Sequence, residues 1–90
     1  MSVKVVFLLY LQRFTGGRES AEVTGQTMGE CLENLEIQFP GIRQQLCDDQ
    51  GRLFSTLEIY IDSDNSYTQD PAKPVKDGDE LIIVPVIGGG

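Results

Sequence analysis

Residues 76–86, KDGDELIIVPV, contain the stretch that decides the fold. Asp77-Gly78 is typical of a tight turn, because glycine accepts backbone angles that other residues avoid. The apolar run that follows, residues 81–84, is rich in β-branched side chains and predicts a buried strand at the centre of a sheet. Pro85 has no backbone N–H, so it predicts the end of that strand.

An amphipathic helix is predicted over residues 27–39. Thr27 and Glu30 form a capping box, in which the hydroxyl and the carboxylate each satisfy an otherwise unpaired N–H. Pro40-Gly41 ends the helix, and Cys31 lies beside its apolar stripe, which favours a small core residue over a reactive thiol. The stripe itself consists of Met28, Leu32, Leu35 and Phe39, at spacings that place them on one helical face.

Alternating apolar residues predict further strands on both sides of the helix. Residues 3–11 indicate one strand, FTGGRES (14–20) a glycine turn, and residues 20–25 a returning strand that pairs with the first as a hairpin. Beyond the helix, GIRQQLCDDQGR (41–52) indicates a short helical turn and a polar loop, and LEIYID (57–62) alternates again. A second loop then leads to the last strand.

This order of elements predicts an α+β fold of the β-grasp (ubiquitin-like) type, with one main helix crossing a mixed sheet. Ninety residues are enough for one hydrophobic core and too few for a second. We therefore expect one β-grasp domain over residues 1–85, followed by a flexible C-terminal tail, residues 86–90.

Composition excludes several classes of function. A net charge of −7 with seven Lys and Arg residues leaves no basic patch for nucleic acid or an anionic membrane, and instead favours a partner with a basic face or a merely solvated acidic surface. Cys31 and Cys47 form no CxxC pair, and no signal peptide or membrane span is recognisable. We expect a cytoplasmic protein with both thiols reduced.

The chain offers little catalytic equipment of its own. Its lack of histidine removes the usual base for a cysteine or serine nucleophile, and no phosphate-binding glycine motif occurs. Asp62, Asp64, Ser66 and Thr68 alternate as in a calcium loop, but the glycine and glutamate that such a loop requires are missing. We predict a solvated loop there, no metal site and no enzymatic activity.

The tail, VIGGG (86–90), allows two interpretations. Composition alone favours a frayed end. Alternatively, five residues reach about 17 Å when extended, and glycines are thin enough to enter a narrow channel with only the terminal carboxylate to react.

Four segments resemble the ThiS/MoaD family of ubiquitin-like sulfur carriers, and most closely its longer, cysteine-biosynthesis-type members. They are VKVVFLLYLQRFTGG, FPGIRQQL, GRLFSTLEIYID and, above all, KDGDELIIVPVIGGG. YIDSDNSYTQD departs from the family's usual pattern and leaves the identity of the partners open.

The resemblance implies a mechanism centred on Gly90. A ThiF/MoeB-like activating enzyme would adenylate its carboxylate with ATP and Mg²⁺, and a sulfur donor would convert it to a thiocarboxylate, with Gly89 as a slender neighbour. The carrier itself would bind no cofactor. The sulfur would pass to an acceptor enzyme, either of the sulfhydrylase type or the large subunit of molybdopterin synthase. The expected partner-binding residues are Pro85, Val86, Ile87 and Gly88.

Other functions stay open at this point. The chain could be the small subunit of molybdopterin synthase, a protein modifier conjugated through Gly90, or a β-grasp interaction module with inert glycines. A functional pair at Gly88-Gly89 would require Gly90 to be trimmed first.

Overall fold

The computed structural model describes residues 2–86, and within them the predicted β-grasp fold is confirmed. Five strands form one sheet in the order β2-β1-β5-β3-β4, in which β1 and β5 run parallel and the other neighbours antiparallel. The strands are β1 (Val3–Val6), β2 (Ser20–Val23), β3 (Leu57–Ile61), β4 (Ser66–Thr68) and β5 (Glu80–Pro85). The helices are α1 (Met28–Gln38) and α2 (Ile42–Leu46), and 3₁₀ segments occupy Leu9–Phe14 and Asp62–Asp64.

The core lies between one face of the sheet and α1. The predicted stripe of α1 is confirmed: Met28, Leu32 and Leu35 are buried, and Phe39 packs against the core from its edge. β5 occupies the central position, as its apolar run predicts. The strand side chains that α1 covers include Val3, Val5, Ile59, Ile61, Leu81 and Ile83, each at most 1% exposed.

The capping box at the start of α1 is confirmed. The Glu30 N–H donates to the Thr27 hydroxyl oxygen at 3.2 Å, and the Glu30 carboxylate accepts from the Gln26 N–H at 2.8 Å. The first bond satisfies a donor that the helix itself leaves unpaired, and the second reaches Gln26, the residue before the N-cap Thr27.

The loop before β5 supplies the remaining acceptors at this helix end. The N–H groups of Met28 and Gly29 donate at 2.9 Å to the carbonyls of Lys73 and Pro71. A Cβ at Gly29 would lie 3.0 Å from the Pro71 carbonyl oxygen, so glycine permits the close approach of the two backbones. The N-terminus of α1 is therefore closed by the protein's own chain.

The predicted strand over residues 3–11 is wrong beyond Val6. The chain enters the 3₁₀ segment at Leu9, and Phe7 and Leu11 are both buried. Alternation could not reveal this, because β1 finds partners for only four residues in β2 and three in β5. A tight helical turn keeps Leu11 in the core without an unpaired strand extension.

The loop predicted after β3 contains a strand that the sequence analysis missed. β4 is only three residues long, and it pairs with Ile59–Ile61 of β3. The turn between the strands relies on Asn65, whose backbone is left-handed at φ 50°. Three polar and aromatic residues carry too little periodicity to indicate a strand.

Candidate functional site

The predicted site is the C-terminal tail, and its root is well defined. Pro85 is the last residue of β5 and lies opposite Leu57, as expected for a strand-ending proline. Val86, assigned to the tail from the sequence, still donates its N–H to the Thr56 carbonyl at 2.8 Å. The turn that presents this carbonyl is closed by the Leu57 N–H on the Phe54 carbonyl at 3.0 Å.

The predicted roles of Ile87, Gly88, Gly89 and Gly90, and the predicted flexibility of the tail, lie outside the described residues. Sequence reasoning missed the Phe54–Leu57 turn as the anchor of the tail. Its only signal is polar and small residues just before β3, which is common in loops.

The turn that precedes β5, residues 76–79, is hydrogen-bonded to the start of β1. The Asp77 carboxylate accepts from the Ser2 N–H at 2.7 Å, and the Gly78 N–H donates to the Ser2 carbonyl at 2.7 Å. Gly78 has φ +85°, a conformation that favours glycine. A position beside a turn glycine is typical of a surface residue, but Asp79 is only 5% exposed, and its carboxylate accepts from the Lys76 N–H at 2.7 Å.

The sheet face away from α1 carries a row of apolar and aromatic side chains beside the tail root. The strand registers place Tyr67, Tyr60, Ile82 and Val6 in line across four strands, with Val84 one step nearer the tail. The Tyr60 and Tyr67 rings lie 5.0 Å apart. We call these five residues the outer row.

Charged residues border the outer row. Glu58 lies opposite Val84, and Glu80 lies opposite Lys4. Because Lys4 also lies opposite Glu22, one cation faces two carboxylates at this margin. The outer row therefore has a predominantly acidic border.

Comparison with known proteins agrees with this geometry. The ThiS family matches residues 5–90, which is nearly the whole chain. The sulfur carrier protein CysO of Mycobacterium tuberculosis is 33% identical over 93 residues, covering 100% of both chains. The chain belongs to the ThiS family.

Solved structures of similar proteins share the fold of this ThiS-family chain. CysO in the Amycolatopsis orientalis BexX/CysO complex has a TM-score of 0.85 at 30% identity, covering 98% of this chain and 99% of that one. Mycobacterium tuberculosis CysO has a TM-score of 0.84 at 29% identity, covering 94% and 99%. SAMP1 from Haloferax volcanii, at 20% identity and a TM-score of 0.81 with 100% of both chains covered, shows the fold alone.

Neither cysteine is suited to carry sulfur. Cys31 is fully buried, as predicted, and burial, together with the charges of Glu30 and Asp79, raises the pKa of its thiol from 9.0 to about 11. Cys47 is 5% exposed, and burial raises the pKa of its thiol as well. Both groups are protonated and shielded at neutral pH, so neither is an effective nucleophile.

The acidic loop after β3 is organised by an internal ion pair. The Lys73 ammonium lies 2.8 Å from the Asp64 carboxylate, and this hydrogen bond and charge lower the pKa of Asp64. Among residues 2–86, no group of three His, Cys, Asp or Glu side chains is arranged to hold a metal ion. Within the same range, no helix is long and apolar enough to cross a membrane.

Proposed function

We propose that this ThiS-family chain is a ubiquitin-like sulfur carrier for the biosynthesis of cysteine or a related sulfur amino acid. The observation that carries the proposal is the full-length match to a protein named sulfur carrier protein CysO, with no part of either chain left over. The tail root supports it, since the central strand β5 leads directly to Val86, whose N–H is bonded to the Thr56 carbonyl.

The proposed chemistry takes place on the Gly90 carboxylate. Attack of this carboxylate on ATP, assisted by Mg²⁺ in the activating enzyme, gives an acyl-adenylate and releases pyrophosphate. A donor of sulfur at the oxidation level of sulfide then attacks the acyl carbon and releases AMP, which leaves a thiocarboxylate. After the sulfur has passed to the acceptor, hydrolysis restores the carboxylate. Proteins of this type are carriers rather than catalysts, and the chain's share of the reaction is to present an acyl group that its partners transform.

We further propose that the outer row is the face on which partners dock. It combines the exposed ring of Tyr67 and four half-buried aromatic and apolar side chains, residue types that are enriched at interfaces, with proximity to the tail root. Its acidic border favours partners that bring Lys or Arg to Glu58 and Glu80. The partners we propose are a ThiF/MoeB-like activating enzyme and a sulfhydrylase-type acceptor. The two free, buried cysteines fit a cytoplasmic location, where thiols stay reduced.

Mass spectrometry tests the proposal directly. After incubation with the cognate activating enzyme, ATP, Mg²⁺ and a sulfur source, we expect a gain of about 16 Da, because sulfur replaces one oxygen. A chain lacking Gly90 is the matched control and should gain nothing. An unchanged mass for the full chain would refute the proposal, and loss of one glycine before the gain would identify Gly89 as the activated residue.

Two of the alternative functions, the protein modifier and the molybdopterin synthase small subunit, rest on the fold alone. SAMP1 of Haloferax volcanii is 20% identical, and the molybdopterin-converting factor of Helicobacter pylori is 18% identical with a TM-score of 0.57. A stable complex with a molybdopterin synthase large subunit, or lasting adducts on other proteins that depend on Gly90, would favour the respective alternative.

A further inference from the structure

β2 is an outermost strand of the sheet, and its free edge can be read from the hydrogen bonds. The Phe7 N–H donates to the Glu19 carbonyl at 2.8 Å, so residue 19 and every second residue after it face β1. The backbone groups of Ser20, Glu22 and Thr24 must then point away from the sheet. Such groups form a template on which another strand can pair.

Two side chains of α1 occupy this edge. The Gln38 amide donates to the Glu22 carbonyl at 2.6 Å, and the Asn34 amide donates to the Thr24 carbonyl at 2.6 Å. Their spacing matches: four helical residues rise about 6 Å, and two strand residues rise about 6.6 Å. The amides therefore take the acceptors that an added strand would need.

A side-chain amide also pairs with strand carbonyls near the other edge of the sheet. β4 ends at Thr68, and from there the Gln69 amide donates to the Leu57 carbonyl at 2.8 Å and to the Ser55 carbonyl at 3.3 Å. A side-chain amide thus continues the pairing of β3 where its partner strand stops.

We propose that Asn34 and Gln38 keep the β2 edge closed against a second copy of this chain. An antiparallel strand must exchange N–H and C=O bonds with the same residue, and each amide side chain occupies the space beside a carbonyl from which an added strand would donate. The occupant is a second copy, because β2 is four residues long and two such edges can meet with the same residues on both sides of a twofold axis. The carrier stays monomeric, and each tail reaches a partner alone.

Sedimentation velocity of the Asn34→Ala/Gln38→Ala variant tests this proposal. Between about 10 µM and 1 mM we expect its mass to rise from 10.0 kDa towards twice that value, while the natural chain stays at 10.0 kDa. Gln44→Ala/Gln45→Ala is the matched control, since those exposed amides on α2 make no hydrogen bond among the described residues and should change nothing. A double variant that stays monomeric throughout would overturn the proposal.

A third substitution identifies the surface involved. The Glu22 N–H points away from β1, so proline at this position removes no bond within the sheet and blocks the edge again. Adding Glu22→Pro to the double variant should restore the monomer. A dimer that persists would show association through another surface and would also overturn the proposal. If the double variant fails to fold, the single Gln38→Ala variant gives the same test with a smaller shift in mass.

Discussion

Replacing Asp79 tests whether the DGDE motif (residues 77–80) stabilises the fold or contacts a partner. Its buried carboxylate accepts a hydrogen bond from the Lys76 N–H at 2.7 Å and lies where β5 begins beside β1. Asp79→Ala removes the acceptor of the Lys76 N–H, a bond that lies partly buried where β5 begins. A hydrogen bond to a charged group contributes about 1.5–3 kcal/mol, and for a domain of this size about 2 kcal/mol corresponds to a fall of roughly 10 °C in Tm.

The assay is thermal unfolding followed by circular dichroism, with two comparisons. Asp79→Asn keeps an acceptor of the same shape without the charge, and should lose about half as much stability. Asp77→Ala removes an exposed bond to Ser2 and should cost less than about 1 kcal/mol. Well below the lowest Tm, all three variants should form thiocarboxylate at the natural rate.

Two results would refute this reasoning. Equal losses of stability for Asp77→Ala and Asp79→Ala would show that burial at Asp79 does not matter. A slower activation of folded Asp79→Ala would show that the motif contacts the activating enzyme.

Two further predictions concern the outer row and the buried thiol. Ile82→Glu should raise KM for activation and leave kcat and Tm nearly unchanged, because it weakens docking but not chemistry. The control is Ile37→Glu, on a residue of α1 that is 76% exposed, which should change neither KM nor kcat. Equal effects of the two substitutions on KM in steady-state assays would contradict a docking role for the outer row. Because the pKa of Cys31 rises from 9.0 to about 11 on folding, its protonated form stabilises the fold fully below pH 9 and this contribution is lost as pH rises towards 11. In urea titrations, Cys31→Ala should therefore lose less stability than the natural chain between those pH values, and parallel losses would contradict the assignment.

The sequence predicted correctly those elements in which regularly spaced apolar residues form one buried face. The stripe of α1 and the apolar run of β5 both lie against the core, and their patterns follow from that contact. The central place of β5 followed for the same reason. The Cys31 thiol was correctly placed because it lies next to the stripe.

The errors lie where partners distant in sequence decide the structure. β1 stops at Val6 because the ladders with β2 and β5 end there, with a single bond from the Phe7 N–H to the Glu19 carbonyl beyond them, and β4 exists only because β3 pairs with it. Asp79 is buried through its place beside β1, although its neighbours in sequence are turn and surface residues. At the site, Pro85 was predicted as the strand end, whereas the hydrogen bond from Val86 to Thr56 depends on a loop about thirty residues away.

That last hydrogen bond has a consequence for every enzyme that would use this carrier. Beyond Val86, four residues extend to Gly90, and four extended residues span at most about 14 Å. With Gly90 as the reacting residue, an adenylating site and a sulfur-accepting site must both lie within that depth of the surface that meets the carrier. Enzymes of unrelated chemistry would therefore have the same distance between the surface that binds the carrier and the reacting site. Lengthening the tail by one glycine should impair all of them.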